Sequence, residues 1–492
     1  MSTDPRRRIG FFALAFGSGF AVLTIEIAGA RLIAPVFGLS AVPWTAVIGV
    51  ILTALAVGSH LGGRMADTGR VPLASVLLVA GVSGALPVIG SGFPFVARQL
   101  FGFIPGAVLS ALVLFAPSVL CLGAVVPYLV QADTESLGTI GRRAGDMSAA
   151  ATAGSILGSF LTGFVLLPAM PVPLLLGVTA AALIAMAGMS SRLLGGSIGS
   201  TSLIAAVVGL STLGVIASQN AEDTLHSEQT LYSAISVTER AWADGRLVRE
   251  LWQNGGSSSA EYVDTGEPAH VYARASLDLL DPFMDRVDNI LVLGGAALTL
   301  PVAFANRRPS ASIRVVEIDP AVSRVASEYF KYGAIDRPAI EVTHDDARVF
   351  LRLAGPGYDL IYLDVFDHLL TVPWTMVTVE ALQDIERQLA PVGVFAANVL
   401  SPLAGPGTEF LERFRATLEE VFEESRIYLT APGVDPGATQ NVIVVAANDA
   451  SAFPEVDWAQ ATVNALGRPL TDMWAPVEYL QAKVFVAGLR WR

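Results

Sequence analysis

The first 220 residues contain seven apolar stretches, each near the length of about 20 residues that an α-helix needs to cross a bilayer. These stretches lie near 10–35, 44–63, 71–92, 104–130, 149–168, 171–190 and 198–218. Small residues recur within them, as at Gly154, Ser155 and Gly158, and small side chains let membrane helices approach closely. We therefore expect residues 1–220 to form a multi-pass α-helical domain in the lipid bilayer of the cell membrane.

Charge is distributed unevenly along the chain. Residues 1–220 carry ten arginines, no lysine and six acids, a formal charge of +4. The remainder carries 21 basic and 38 acidic residues, a charge of −17, and the whole chain therefore carries −13. A soluble region this acidic argues against nucleic acid as a partner, since binding to phosphates needs clustered Arg and Lys. The single cysteine, Cys121, excludes a disulfide framework and a cysteine-based metal site.

The basic residues indicate an orientation for the membrane region. If the spans alternate, one side receives all but one of the clearly placed loop arginines: Arg6, Arg7, Arg8, Arg64, Arg70, Arg142, Arg143 and Arg192. The positive-inside rule makes that side, and the N-terminus, cytoplasmic. Seven spans would then leave the acidic region outside, away from cytoplasmic nucleotides. Either one stretch is miscounted or re-entrant, or the soluble region uses no such metabolite, and the sequence leaves both alternatives open.

The soluble region contains the pattern of a nucleotide-binding βαβ unit. An apolar run from Ile290 ends at Gly294 and Gly295, and a second apolar run from Val315 ends at Glu317. Glycines let the backbone turn into a helix close to a ligand, and an acid about 20 residues later can accept both hydroxyls of a ribose. An ordinary βαβ unit without a ligand is the alternative interpretation of this pattern.

Further acids follow predicted strands. The pattern predicts strands over 340–343, 358–364, 393–398 and 441–446, and helices over 269–281 and about 320–332. Asp346 follows the first of these strands, Asp364 closes the second, and Asp367 lies just beyond it. Because ligands of such sheets bind outside the carboxyl ends of the strands, Glu317 and these three aspartates mark the expected site. Solvated loop acids are the alternative.

Residues 221–268 are expected to form a small β-subdomain. Strands are predicted over 230–237 and 247–252, followed by a turn at Asn254-Gly255-Gly256 and a loop of serines.

Several stretches together resemble spermidine synthase, the polyamine aminopropyltransferase family, in the form fused to an N-terminal membrane domain. The resemblance between about Leu231 and Leu400 rests on Tyr232-Ser233, Tyr272, Glu317-Ile318-Asp319-Pro320, Asp346 to Leu351, and Tyr358 to Asp367. Glu26 to Pro35 in the first span and Leu470 to Glu478 near the C-terminus are also similar to the fused group. The resemblance implies an α/β Rossmann-like domain of the S-adenosylmethionine methyltransferase type over residues 269–492.

The resemblance also implies residue roles. Members of this family transfer an aminopropyl group from decarboxylated S-adenosylmethionine to the amine of putrescine, without a metal. Gly294, Gly295 and Glu317 would then bind the donor, with Glu317 on its ribose, and Asp346 would bind the adenine amino group. Asp364 would be the base that deprotonates the attacking amine, and Asp367 with Tyr272 would orient the small amine acceptor.

The sequence departs from the family pattern at substrate contacts. The glycine loop, commonly Gly-Gly-Gly-Asp-Gly, is Gly294 to Leu298 here, with Ala297 in place of the acid. Ser258 replaces a glutamine, and Ala273-Arg274 follow Tyr272 where His or Gln and then Glu are usual. Three interpretations follow: an aminopropyltransferase with an altered acceptor, a methyltransferase that uses S-adenosylmethionine itself, or a degenerate domain that acts as a binding module. The sequence is compatible with a homodimer or with a membrane partner.

Overall fold

The structure is a computed structural model that describes residues 5–486 apart from 38–40, 135–138, 195–222, 335–339, 367–370, 454–455 and positions 231, 406 and 432. The chain divides into two compact units, Met1–Ala221 and Glu222–Arg492. Two predicted features lie outside the described residues: the seventh apolar stretch near 198–218, and Asp367.

The N-terminal unit is entirely helical where it is described. Its helices are Pro5–Phe37, Ala41–Thr68, Leu73–Ser83, Leu86–Ile89, Phe93–Phe101, Phe103–Leu114, Ala116–Gly123, Val125–Asp133, Ile140–Leu161, Leu167–Ala169 and Val172–Leu194. Within the described ranges, five helical segments are long and apolar enough to cross a membrane: Arg7–Phe37, Val42–Thr68, Ala116–Asp133, Ile140–Ala169 and Val172–Leu194. A sixth is added if Leu73–Ile89 and Phe93–Phe101, bent by 73° at their junction, are one broken span. The fourth predicted stretch, 104–130, is therefore divided between the short helix Phe103–Leu114 and the segment Ala116–Asp133.

Small residues bring two of these helices into backbone contact, as the sequence predicts. A Cβ atom added to Gly154 would lie 1.9 Å from the carbonyl oxygen of Phe16, and one added to Gly19 would lie 1.9 Å from that of Ala151. The Ser155 hydroxyl donates to the carbonyl of Gly19 at 3.2 Å. Only glycine permits so close an approach of the two backbones. In lipid, where the hydrophobic effect does not drive helices together, the van der Waals contact made by this close approach stabilises the pair.

The C-terminal unit contains two sheets and the helices packed on them. The strands are β1 (Thr224–Gln229), β2 (Ala234–Ala241), β3 (Leu247–Gln253), β4 (Gly256–Tyr262), β5 (Asn289–Leu293), β6 (Ser312–Val316), β7 (Ile340–Thr343), β8 (Tyr358–Leu363), β9 (Leu389–Ser401), β10 (Glu424–Leu429) and β11 (Gln440–Ala447). The helices are α1 (Val271–Met284), α2 (Thr299–Arg307), α3 (Pro320–Tyr329), α4 (Ala347–Leu353), α5 (Val379–Gln388), α6 (Glu409–Glu419) and α7 (Val477–Val486).

In the described part of this unit, the large sheet has the strand order β10-β11-β9-β8-β5-β6-β7. Strands β5 to β9 run parallel, and β10 and β11 join antiparallel at one edge. The parallel strands read as continuous apolar runs because helices cover both faces of the sheet. One face buries Leu280, Phe304 and Tyr362, and the other buries Phe395 and Phe410. The helical N-terminal unit followed by this α/β unit confirms the predicted fold class.

The small sheet has the order β1-β2-β3-β4 and is antiparallel throughout. The serine run expected as a loop is strand β4, so that prediction was wrong. Asn254 and Gly255, with φ of 49° and 80°, form the tight hairpin turn that returns the chain from β3 to β4. The hydroxyls of Ser257 and Ser259 have partners on Glu250 and Thr299, which lets serines occupy a strand.

Candidate active site

Four adjacent parallel strands place the predicted site residues along one edge of the large sheet. In the order β8-β5-β6-β7, these strands end at Asp364, at Gly294 with Gly295, at Glu317, and shortly before Asp346. The structure therefore brings these residues to neighbouring strand ends, while Asp367 lies outside the described residues. The carboxyl edge is the ligand-binding edge of a sheet of this kind.

The Glu317 carboxylate ties two of these strand ends together. Its Oε2 accepts hydrogen bonds from the backbone N–H groups of Gly295 and Ala296, at 3.0 and 3.2 Å. Its Oε1 accepts from the N–H of Asp319 at 3.0 Å. Glu317 is only 6% exposed, and burial raises its pKa against the opposing effect of these three donors. The carboxylate thus fixes the conformation of the loop after β5.

That loop is strained because it carries side chains where the backbone favours glycine. Gly294 has φ of 93°, and Ala296 and Leu298 have φ of 42° and 59° in the left-handed region. A Cβ on Gly294 would lie 2.4 Å from the carbonyl oxygen of Asp364, so only glycine fits where the loop meets the end of β8. Ala297 is fully buried against an apolar cluster that includes Ile235 from β2.

Asp364 is held by two side chains that donate to its two oxygens. The hydroxyl of Tyr272, on α1, donates to Oδ2 at 3.0 Å. The amide nitrogen of Asn398, inside β9, donates to Oδ1 at 2.9 Å. Burial raises the pKa of Asp364 to about 6, although both donors lower it. Burial and the neighbouring Asp364 raise the pKa of Tyr272 well above 10, so its hydroxyl stays protonated and serves as a donor.

Asp346 begins helix α4. Its Oδ1 accepts from the N–H groups of Arg348 and Val349 at 2.8 and 3.1 Å, which is the geometry of an N-cap. The side chain is exposed, so Asp346 can accept a further donor from solvent or from a ligand. Arg348 is buried between Asp384 and Asp472, and this pairing fixes the first turn of α4.

A small cavity lies between Asp364, the glycine loop and β4. Its lining includes Ser258, Ser259, His270, Tyr272, Gly295 and Asp364. Burial lowers the pKa of His270 to about 4, so its imidazole is neutral at pH 7, with Nε2 at 3.0 Å from the Ser257 hydroxyl. Across the part of the chain that the structure describes, no group of three or more His, Cys, Asp or Glu residues is arranged to hold a metal.

Sequence reasoning missed two residues of this site. Asn398 closes the predicted strand 393–398, and a polar residue after an apolar run was a usable signal, although the strand itself continues to Ser401. His270 lies directly before α1, and no local pattern distinguishes it.

Comparisons with known proteins find polyamine aminopropyltransferases and protein methyltransferases among the relatives, and solved structures that include spermidine synthases. The polyamine aminopropyltransferase of Vibrio vulnificus is 28% identical over 205 residues, which are 41% of this chain and 65% of the relative. Polyamine aminopropyltransferase 1 of Streptomyces coelicolor is 26% identical over 421 residues, 78% of this chain and 75% of the relative. This second match is longer than the C-terminal unit, so it includes part of the N-terminal unit. A probable spermidine synthase from Corynebacterium glutamicum, of known structure, covers 56% of this chain and 97% of its own, at 22% identity and a TM-score of 0.41.

No protein-family model matches the chain. The chain spans about two thirds of the length of the Vibrio relative.

Proposed function

Since this chain is a member of the spermidine synthase family, we propose that it transfers an aminopropyl group from decarboxylated S-adenosylmethionine to an amine acceptor. The observation that carries the proposal is the buried Asp364 carboxylate, bonded to Tyr272 at 3.0 Å and touching the glycine loop through its own backbone. A base in contact with the nucleotide loop is the arrangement that this transfer needs.

The proposed reaction is one displacement. The acceptor nitrogen attacks the aminopropyl carbon bound to the donor sulfonium, the new C–N bond takes the nitrogen lone pair, and the C–S electrons return to sulfur. A neutral thioether nucleoside leaves. An ammonium has no lone pair for this attack, so a carboxylate must take its proton first. Asp364, with a pKa of about 6, is ionised at pH 7 and can accept that proton.

The donor is proposed to lie along the strand ends. Glu317 would accept the ribose hydroxyls, beside the turn of Gly294 and Gly295, and the exposed oxygen of Asp346 would accept the adenine amino group. Tyr272 would orient the acceptor by holding the base, and Asp367 is proposed to bind the acceptor on the sequence resemblance alone. Anionic groups suit a cationic amine, since electrostatic complementarity favours its encounter with the site.

The membrane location is part of the same proposal. Among the described residues, five helical segments have the length and composition to cross a bilayer. We propose that the N-terminal unit anchors the enzyme in the cell membrane as a multi-pass domain.

Direct assay of the purified full chain in lipid nanodiscs tests the transfer. Donor labelled in its aminopropyl group is incubated with mono-, di- and polyamines, and labelled conjugates are detected by mass spectrometry. A parallel reaction contains S-adenosylmethionine labelled in its methyl group. The proposal expects aminopropyl conjugates from the wild type and at least about 10²-fold fewer from Asp364→Asn protein purified alongside it.

The other outcomes identify the alternatives. Methyl conjugates alone would make the chain a methyltransferase. Binding of either nucleotide without turnover would make the C-terminal unit a binding module. Both results would overturn the proposed transfer.

A further inference from the structure

Three polar residues form a row across three strands of the large sheet. Asp364 directly follows Leu363 of β8, whose register partner is Ala397, and so lies beside Asn398 of β9. Asn398 lies opposite Ile443 of β11, and Asn441 is two residues from Ile443 on the same strand. Since side chains two residues apart share a face of a strand, all three point to the face covered by α1.

Two hydrogen bonds connect the row. The amide nitrogen of Asn441 donates to the Oδ1 of Asn398 at 2.9 Å. The amide nitrogen of Asn398 donates to the Oδ1 of Asp364, also at 2.9 Å. Asn398 is 2% exposed and Asn441 is half-buried, so water does not replace either bond freely.

The direction of the row is set by the carboxylate. An ionised carboxylate only accepts hydrogen bonds, so Asn398 must present its NH₂ group to Asp364. The Asn398 carbonyl oxygen then faces β11, where it needs a donor, and Asn441 supplies that donor. Without Asn441, the Asn398 amide could turn over and place its oxygen against the carboxylate, which would remove a bond and add repulsion.

No positively charged side chain is among the described groups that lie beside Asp364, so the Asn398 amide contributes much of the stabilisation of its charge. The titratable side chains beside Asp364 are Tyr272 from α1 and Tyr362 from β8, and burial keeps the pKa of both well above 10. Both are therefore neutral at pH 7. Tyr362 has the Ser276 hydroxyl at 2.7 Å as its own partner. Two neutral donors, Tyr272 and Asn398, thus stabilise the charge of Asp364. The orientation of the Asn398 amide is in turn fixed by Asn441.

We propose that Asn441 is a positioning residue, which fixes the Asn398 amide in the orientation that holds the Asp364 carboxylate ready to accept a proton. Its role in turnover rests on the proposed function, whereas its effect on the Asp364 carboxylate does not. Asn441 makes this contribution from β11, outside the parallel strands that carry the other site residues.

The test compares the titration of Asp364 in the wild type and in three variants. The full chain is labelled with carbon-13 at its aspartate carboxyl carbons, and the Asp364 signal is identified by its loss in Asp364→Asn. Asn441→Asp keeps the size of the side chain but replaces the donor with an acceptor. Asn441→Ala removes the donor alone. Asn448→Ala, at an exposed asparagine that donates to Glu386, is the matched control.

We expect Asn441→Asp to raise the pKa of Asp364 by about one pH unit or more, because it removes the donor to Asn398 and also adds a negative charge nearby. Asn441→Ala adds no charge and therefore isolates the effect of the lost donor. This variant should raise the pKa of Asp364 by less, and Asn448→Ala should leave that pKa unchanged. In turnover assays, the acidic limb of the kcat/KM profile should move to higher pH by the same amounts. At alkaline pH, the kcat/KM of each variant should return to the wild-type value. A merely structural defect would lower kcat/KM at every pH.

An Asp364 titration that is unchanged in both folded Asn441 variants would overturn the proposal. If Asn441→Asp does not fold, Asn441→Ala decides the question on its own. Absence of turnover in the wild type would defeat the proposed function and leave the carboxyl titration as an independent measurement of the Asn441 effect.

Discussion

The two ends of the candidate site hold their carboxylates by different means. At the proposed nucleotide end, Glu317 receives its hydrogen bonds from backbone N–H groups of the loop after β5 and of Asp319. At the proposed reacting end, Asp364 receives its bonds from the side chains of Tyr272 and Asn398. Burial raises the pKa of both carboxylates. Donors from the backbone survive any substitution that keeps the loop conformation, whereas side-chain donors can be exchanged one by one.

Single side-chain substitutions can therefore change the hydrogen bonds to Asp364. The hydrogen bonds to Glu317 depend instead on the conformation of the loop after β5. Ala296 and Leu298 both adopt left-handed backbone conformations in this loop although neither is glycine. Hydrogen bonds from the loop to a buried carboxylate offset the strain of these conformations.

The largest expected effect comes from Asp364→Asn, which keeps the size of the side chain and removes the base. Turnover should fall by about 10²–10⁴-fold, the usual contribution of a general base. Affinity for the donor should stay nearly unchanged, because the nucleotide end keeps its carboxylate. Steady-state kinetics and calorimetry on the same preparation measure both. Undiminished turnover in Asp364→Asn would show that Asp364 is not the base.

Glu317→Ala should act on the opposite end. Loss of the ribose acceptor, together with the loss of a charged partner for three backbone N–H groups, should weaken donor binding by about 10–100-fold. Calorimetry measures this, and the residual kcat at saturating donor should fall less. Glu341→Ala, at an exposed glutamate of β7 that pairs with Arg314, is the matched control and should bind the donor normally. Equal affinities in the two variants would remove Glu317 from the donor site.

A pH profile sharpens the comparison at the reacting end. The pKa of Asp364 is about 6, raised by burial, so the carboxyl is protonated below that pH and cannot accept the proton of the amine. The expected kcat/KM falls about tenfold per pH unit below pH 6. The limb belongs to the enzyme, so it should stay in place when acceptors with different amine pKa values are compared. An acidic limb that shifts with the pKa of the acceptor amine would argue against Asp364 as the titrating base.

The smallest expected effect concerns the strain of the nucleotide end. Ala296→Gly removes the Cβ contact of a left-handed residue, which stabilises the folded state by about 1–2 kcal/mol. The greater conformational entropy of glycine in the unfolded chain opposes this gain by about 0.4–1 kcal/mol. The free energy of unfolding should rise by about 0.5–1 kcal/mol, seen as a higher thermal midpoint. The reverse exchange in the same loop, Gly294→Ala, should lower the midpoint, because its Cβ would meet the Asp364 carbonyl oxygen at 2.4 Å. A lower midpoint for Ala296→Gly would show that the loop is not strained.

Local sequence determined much of this protein. Apolar length alone predicts membrane-crossing helices, and each described predicted stretch corresponds to helical structure. Apolar runs that end at glycine or at an acid predict β5, β6 and β8, and with them the positions of Gly294, Glu317 and Asp364. These features are readable because parallel strands buried on both faces leave polar residues only at their ends. Their roles in binding and catalysis stay predictions.

Only the tertiary structure decided the rest. Ser257 and Ser259 lie in a strand because Glu250 and Thr299 satisfy their hydroxyls, and neither partner is adjacent in sequence. Asn441 reaches Asn398 only because β11 returns antiparallel to β9, which brings together residues 43 positions apart. The neutral state of His270 and the raised pKa of Asp364 come from burial by distant elements. Long-range pairing and desolvation have no local sequence signal, since the same residue in solvent would be an ordinary histidine or aspartate.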